Sequence, residues 1–384
     1  MKKKILFVTE SLARGGMERV LVDIANALTD NGYNVTIITY SDATNLKNDL
    51  HSSIVYKYVK RKEWPLCEKI PYIRRLYRKN YKQFKWETNS SSQKLYKYYV
   101  KNEKYDVEIG FYRGPSIKII SGSTNKSSKK IAWVHTDLKL CDPKSMQFFF
   151  HDMDEVRKAY GSFNHVVCVS EMAMKSFLEV IGYKGQCSVI YNMVPINKIQ
   201  LKGKLPAPQS KRRFTIATLG RLIPDKGYDR LLKAVSKVNN EGFSFDVWMI
   251  GGGRAENDLK NLAKDLNLEN VYFWGMQENP YPLIKQADLF ICTSKREGFN
   301  IAIVEAMVFG VPVISTRCTG PTEILENGKY GILVDNSEEG VYWGVKQALS
   351  NPEGLCIFKE KSLERCWFFD ESRIIDQIIS LIEA

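Results

Sequence analysis

No stretch of this chain approaches the ~20 consecutive apolar residues of a bilayer-spanning helix, so the expectation is a soluble or peripheral protein. The amino terminus, Lys2-Lys3-Lys4-Ile5-Leu6-Phe7-Val8, begins like a secretory signal but turns polar at Thr9-Glu10, short of the usual apolar region of about 7–15 residues. The eight cysteines contain no C-x-x-C pair and no zinc-ligand spacing, which excludes a zinc ribbon or a dithiol redox motif. Several lie in apolar runs, as Cys168 does between Val166 and Val169, and buried reduced thiols suit a reducing cytosol. There is no Walker Gly-x4-Gly-Lys-Ser/Thr. The nicotinamide fingerprint is missing too: the first glycine loop offers only Gly15-Gly16, and Gly251-Gly252-Gly253-Arg254-Ala255-Glu256 has Glu where the third glycine belongs. A P-loop NTPase and an ordinary dehydrogenase are thereby set aside.

What is present is a 384-residue chain, 44% hydrophobic and 26% charged, a globular composition with room for two or three domains. Its net charge of +13 is unevenly placed: residues 1–200 carry 33 basic and 19 acidic side chains, residues 201–384 carry 23 and 24. A basic half points to an anionic partner. Within it, residues 56–101 hold 14 Lys or Arg, three acidic residues and 11 aromatics, and read as a surface insertion, helical in parts.

Short apolar runs alternate with helical patterns. Residues 4–8 read as a strand, Met17–Thr29 as an amphipathic helix and Asn34–Tyr40 as a second strand, a βαβ unit. Further strands are expected at 107–111, 131–135, 165–169 and 188–191. Periodicity vanishes between 192 and 213, where Pro195, Pro206 and Pro208 fall. A second series follows, with strands at 214–219, 245–250, 271–274, 287–292, 311–315 and 331–334. The expected architecture is α/β: two tandem Rossmann-like, doubly wound parallel-sheet domains facing a central cleft. The domains would be 1–195 and 214–368, joined by a linker at 196–213, with a final helix, 369–384, packing back on the first domain. Ligands of such sheets lie outside the carboxyl ends of the strands.

Three loops sit at such ends. Gly220-Arg221…Asp225-Lys226-Gly227 follows a strand and precedes a helix; a forked guanidinium and an ammonium there can close on a diphosphate, or can be two solvated cations on a turn. Glu297-Gly298-Phe299-Asn300-Ile301 precedes a helix expected at Asn300–Phe309, which carries Glu305. Acidic residues near a helix start favour the macrodipole, but Glu305 lies among Ala302, Ile303, Ala306 and Met307 and needs a polar partner. Gly15-Gly16-Met17-Glu18 opens the first helix and allows close approach of a ligand, or is a plain strand-to-helix turn.

The pair Glu297 and Glu305, in Glu-Gly-Phe…Val-Glu-Ala, resembles the signature of the retaining glycosyltransferases of family four. Gly15-Gly16-Met17-Glu18, Val169-Ser170-Glu171, Val189-Ile190-Tyr191-Asn192, Gly220-Arg221…Lys226-Gly227, Gly310-Val311-Pro312-Val313-Ile314 and Gly320-Pro321-Thr322-Glu323-Ile324 resemble its other segments in the same order. Residues 41–103 have no counterpart.

The resemblance implies an enzyme that moves a sugar from a nucleoside-diphosphate sugar to an acceptor with retention of configuration. Arg221 and Lys226 would neutralise the diphosphate leaving group. Glu305 would hold the ribose, Glu297 the donor sugar, and backbone N–H groups of Gly298, Phe299, Asn300 and Ile301 the sugar and phosphate. Gly15 and Gly16 would approach the phosphates, and His135, at the end of a strand, would act near the transferred sugar. His135 and Glu297 are the catalytic candidates. The cationic clamp makes a divalent ion unnecessary, so no metal and no other cofactor is expected. Gly320-Pro321-Thr322-Glu323 resembles members using UDP-galactose or its N-acetylated form, which favours a UDP-sugar.

The acceptor is expected to be lipid-linked or an oligosaccharide, in cell-surface polysaccharide synthesis. Arg74, Arg75, Arg78, Lys79, Lys82 and Lys85 would dock the enzyme on an anionic membrane surface, placing it in the cytoplasm at the inner face of the cell membrane. Other readings are a nucleotide-sugar epimerase or phosphorylase on a related fold, and a non-catalytic protein binding nucleic acid or another anionic polymer. Nothing marks a pyridoxal-phosphate lysine for a phosphorylase, and the neutral second half counts against nucleic acid as the partner.

Overall fold

The computed structural model describes residues 2–60, 86–101, 103–141 and 149–384. The chain forms two compact units, Met1–Tyr191 with Ile375–Ala384, and Asn192–Ile374.

The first unit holds seven parallel strands: β1 (Lys4–Thr9), β2 (Asn34–Thr39), β3 (Val55–Tyr58), β4 (Val107–Gly110), β5 (Lys129–Val134), β6 (His165–Cys168) and β7 (Gln186–Val189). Their order is β3-β2-β1-β4-β5-β6-β7. The central strands are covered on both faces, which is why they read as unbroken apolar runs: Ile5, Leu6, Phe7 and Val8 are all fully buried. The helix Gly16–Asp30 buries Val20, Leu21, Ile24 and Leu28. The helix Glu171–Ile181 starts on a Ser170 cap that accepts from the Ala173 N–H and stops at left-handed Gly182.

The second unit repeats the plan with β8 (Thr215–Leu219), β9 (Asp246–Ile250), β10 (Val271–Gly275), β11 (Leu289–Cys292), β12 (Val313–Thr316) and β13 (Ile332–Val334), ordered β10-β9-β8-β11-β12-β13. Strand order reverses beside β1 in one sheet and β8 in the other, the switch points at which such folds bind ligands.

Three expectations change. β3 falls inside the segment read as an insertion; it is an edge strand with Val55 48% and Tyr58 42% exposed, so no apolar run announces it. The aromatics of that segment are not all on the surface, since the helix Ser92–Tyr99 buries Leu95, Tyr96 and Tyr99 in the first core. The cations Arg74, Arg75, Arg78, Lys79, Lys82 and Lys85 lie outside the described residues. The segment 196–213 is not a free linker. It opens with a helix, Ile196–Lys202, and is tied to its own unit where Asn279 donates to the Lys202 carbonyl (2.9 Å) and Lys211 pairs with Asp288 (2.6 Å).

The final helix, Glu371–Glu383, ends in the first unit. Lys3 donates to the Ile382 carbonyl (2.7 Å), Lys129 to the Leu381 carbonyl (2.6 Å), and Tyr33 to the Glu383 carboxylate (2.6 Å). Cations at a helix carboxyl terminus satisfy its last carbonyls and its dipole. Among the described residues no helix is long and apolar enough to cross a membrane.

Candidate active site

At the carboxyl edge of the second sheet, the loops after β8, β9 and β11 are stitched to one another. Gly227 has φ +65°, and a Cβ there would meet the Thr293 carbonyl oxygen at 2.2 Å. Only glycine lets these two backbones approach so closely. Thr293 donates its hydroxyl to the Lys226 carbonyl (2.9 Å), Arg230 donates to the Thr293 carbonyl (2.8 Å), and Arg296 grips Asp225 through two bonds of 2.9 and 2.8 Å. The run Gly251-Gly252-Gly253 has the same use: a Cβ on Gly253 would lie 2.5 Å from the Leu222 carbonyl oxygen, so these glycines bring the β9 loop against the Arg221–Leu222 backbone.

Lys226 and Glu297, 71 residues apart, form an ion pair inside this framework. Ser294 donates to the same Glu297 oxygen at 3.2 Å. The two side chains are 18% and 19% exposed. Burial pulls the Lys226 ammonium down, but the attraction of Glu297 outweighs it and holds the group well above its ordinary range. Lys226 is therefore a fixed cation and Glu297 its counter-charge. Arg221 stands at the same edge with its guanidinium exposed.

The following turn is equally constrained. Gly298 and Phe299 are buried, and the Phe299 ring stands edge-on to Phe369 at 5.3 Å. A Cβ on Gly320 would sit 2.3 Å from the Phe299 Cα, so Gly320 closes on this turn from the other side. Asn300 adopts φ +136°, uncommon for a residue with a side chain, and its amide points to the Cys292 sulfur at 3.1 Å. That kink delays the helix, which runs Ile301–Met307 rather than Asn300–Phe309. Glu305, half-buried, accepts from the Tyr281 hydroxyl at 2.9 Å. The need for a partner was legible from the apolar neighbours of Glu305; the partner, from a helix 24 residues earlier, was not.

Gly15, Gly16 and His135 belong to the first unit. Gly15 caps the first helix with no side-chain bond, and the Glu18 carboxylate folds back so that a Cβ on Gly15 would lie 2.2 Å from it. Glu18 thus occupies the space expected for a close-approaching ligand. His135 follows β5 with its ring against Phe111 at 4.6 Å. The residue is half-buried, yet its Nε2 is inaccessible and without a hydrogen-bond partner. Burial pushes its pKa down to about 3, opposed by a hydrogen bond to the Phe111 backbone, so the ring is neutral near pH 7. With Nδ1–H on that carbonyl, Nε2 is left as an acceptor. Beside it the sequence reading passed over Arg113, which bonds to the Cys141 sulfur at 2.9 Å. The Asp-x-Asp triplet of the chain, Asp152-Met153-Asp154, has structural uses: Asp152 caps the helix Met153–Tyr160 and Asp154 pairs with Arg157 at 2.8 Å.

Comparison with known proteins bears on this geometry. Residues 14–198 match the family model of Glycosyltransferase Family 4, and residues 203–365 that of Glycosyl transferases group 1. An uncharacterised glycosyltransferase of Haemophilus influenzae is 25% identical over 365 residues, 94% of each chain. The N-acetylgalactosamine-N,N'-diacetylbacillosaminyl-diphospho-undecaprenol 4-alpha-N-acetylgalactosaminyltransferase of Campylobacter jejuni is 27% identical over 49% of this chain and 51% of its own. Several curated relatives match over only about half of their length, from 50% to 57%. Among solved structures, HepE of Anabaena, with UDP and glucose, superposes with a TM-score of 0.73 over 100% of both chains at 20% identity, a likeness of fold.

Proposed function

Because the chain belongs to the glycosyltransferases of group 1 and family 4, we propose that it moves a sugar from a UDP-sugar to a lipid-linked glycan, with retention of configuration and without a metal ion. The observation that carries this reading is the buried Lys226–Glu297 pair, held between glycine-dependent loops at the switch point of the second sheet. The known acceptor of the Campylobacter relative is diphosphate-linked to undecaprenol, which supports the acceptor class. Function in polysaccharide synthesis accords with relatives named for lipopolysaccharide core and capsule formation.

In the proposed mechanism the donor diphosphate takes over Lys226, with Arg221 as a second cation. Negative charge grows on the leaving diphosphate as the sugar bond breaks, and fixed cations are worth most where charge develops. Glu297, released from Lys226, accepts hydrogen bonds from sugar hydroxyls. Glu305, already an acceptor toward Tyr281, takes the ribose hydroxyls. His135, a neutral ring after β5, stands near the transferred sugar. The basic, aromatic stretch 56–101 would hold the enzyme at an anionic leaflet, where Trp and Tyr favour the interface.

Calorimetry with UDP tests the donor half. Arg221→Ala and Glu305→Ala should each weaken binding by ~1–3 kcal/mol, because each leaves polar ligand atoms unpaired. Unchanged affinity in both variants refutes the site assignment. The anomeric coupling constant of the product, measured by NMR, decides between retention and inversion.

A further inference from the structure

From residue 180 to residue 224 the chain has no Asp or Glu and eight Lys or Arg. Some of these cations are committed within the second unit: Lys211 pairs with Asp288 and Arg213 with Asp246, both by contacts of 2.6–2.7 Å. Lys198 and Lys204 stand exposed. Between and beside them are Leu201 and Leu205, 64% and 56% exposed. The helix Ile196–Lys202 buries Ile196 and Ile199 and turns Leu201 outward. One exposed leucine is ordinary on a protein surface. A cluster of large apolar side chains marks an interaction site.

The cluster continues across the second unit. Gly203, between the two leucines, lies against Phe309, whose ring a Cβ there would meet at 2.4 Å. The next residue, Gly310, lies against Leu363, where a Cβ would meet the Cγ at 3.3 Å. Leu363 is 43% exposed, and Trp367, one helical turn further on, is 46% exposed. The helix Cys356–Cys366 sets Lys359, Lys361 and Arg365 against Glu360 and Glu364 and is close to neutral. The positive excess comes from Lys198, Lys202 and Lys204. Glu278, which precedes the Asn279 bonded to the Lys202 carbonyl, is one acid against these three lysines.

We propose that this face of the second unit, Leu201 and Leu205 with Leu363 and Trp367, docks on an anionic lipid surface. The leucines enter the boundary between headgroups and acyl chains, and Lys198 and Lys204 meet headgroup phosphates. Apolar side chains set among lysines are the composition of interfacial anchors. Each cation gains from the negative surface potential, and Trp favours the headgroup level. A second copy of the chain fits this face poorly, because it would bring the same lysines, on a protein of net charge +13, against one another. The surface lies in the unit opposite to the stretch 56–101 and depends neither on that stretch nor on the transferase reading.

Co-sedimentation with vesicles of phosphatidylcholine, alone or mixed with phosphatidylglycerol, tests it on the full chain. Wild type should bind the anionic vesicles only, and less as salt is raised. Lys198→Glu with Lys204→Glu should bind at least ~tenfold more weakly, and Lys198→Gln with Lys204→Gln in between. Leu201→Ser with Leu205→Ser should also lose at least ~tenfold. Wild-type binding in either the glutamate or the serine pair overturns the assignment, as does a wild type that ignores lipid charge. All four positions are outside the donor loops, so calorimetry with UDP should give the wild-type affinity in each pair and certifies the fold. If UDP fails to bind wild type, the transferase reading fails and the vesicle result still stands. Reversal of Arg74, Arg75, Arg78 and Lys79 to Glu separates the two basic regions: loss of binding there with full binding in the double variants overturns the surface on the second unit, and loss in the double variants alone upholds it. A dimer in sedimentation velocity that Leu201→Ser with Leu205→Ser splits, with vesicle binding unchanged, gives the face to a second copy and overturns the lipid assignment.

Discussion

The two sheet edges solve opposite problems with the same topology. At the edge of the second sheet nearly every charge is matched locally: Lys226 by Glu297, Arg296 by Asp225, Arg230 by a carbonyl and an amide. Its loops are locked by glycines that allow backbone contact, and Asn300 is held in a strained conformation. At the edge of the first sheet, among the described residues, Arg113 bonds to the Cys141 sulfur and to Tyr112, and His135 keeps a buried nitrogen without a partner. A matched, rigid edge suits a ligand of fixed chemistry, and preorganised charge costs no rearrangement when that ligand reacts. An edge with unmet demand suits a ligand that supplies the missing partners. The difference accords with the proposed donor at the second edge and acceptor at the first.

The largest test of this division is to remove the element that the first unit takes from the far end of the chain. Deleting residues 375–384 removes Ile375, Ile378 and Ile382, all buried, and strips Lys3 and Lys129 of the carbonyls they cap. Burial of each isoleucine stabilises by ~1.5–3 kcal/mol, a large share of a domain's ~5–15 kcal/mol. Calorimetric scans should lose the transition of the first unit and keep that of the second. An unchanged scan would show that the final helix is dispensable and that the boundary at Ile375 has no energetic meaning.

A smaller but more local effect is expected in the second unit. Lys226→Ala leaves Glu297 mostly buried with only Ser294 for a partner. Breaking a buried pair from one side destabilises the fold by ~3–5 kcal/mol; separately, losing a cation where charge develops on the leaving group should lower kcat/KM ~100- to 1,000-fold. Loss within threefold would mean the cation does not face the leaving group, and the contrast between matched and unmatched edges would lose its functional content.

Acid should act on the first edge. The pKa of His135 is pushed down to about 3 by burial, against about 6.5 for the unfolded chain. Between those values the unfolded state binds more protons. Stability from the neutral ring is thus fully present above about pH 6.5 and is lost progressively toward pH 3, by up to ~1.4 kcal/mol per unit. His135→Gln should flatten the acid limb of stability measured by urea unfolding between pH 6.5 and 4. An identical slope in both proteins would show that the imidazole is not held neutral.

Much of this fold was readable because a doubly wound sheet writes each strand as a short apolar run and each helix as an amphipathic one. β3 escaped because an edge strand half in solvent has no such run. The linker at 196–213 was misread because its prolines and lack of period are local signals, while the bonds of Lys202 and Lys211 that fix it reach across 77 residues. The site divides the same way. Lys226, Glu297 and Glu305 could each be named from sequence, since a cation after a strand or an acid on an apolar helix face is a local oddity. That Lys226 pairs with Glu297, or that Tyr281 serves Glu305, is tertiary. Arg113 carried no local signal: its bond to the Cys141 sulfur, 28 residues away, exists only in three dimensions.

The smallest effect expected is at Asn300, where the rigidity ascribed to the second edge can be tested directly. A residue with a side chain at φ +136° stores ~1–3 kcal/mol of strain. Glycine removes that strain but also removes the amide contact with Cys292 at 3.1 Å and frees the unfolded chain. These terms oppose, so Asn300→Gly should change stability by less than ~1 kcal/mol. Asn300→Ala keeps the strain, loses the amide, and should be the less stable of the two. If the strained turn serves to fix Phe299 and the start of the Glu305 helix, Asn300→Gly will fold normally yet bind UDP several-fold more weakly, because the loop must now be ordered on binding. Equal UDP affinity in the glycine variant would show that the second edge is held by Gly320 and Phe299 alone, and that the strain at Asn300 contributes nothing to the donor site.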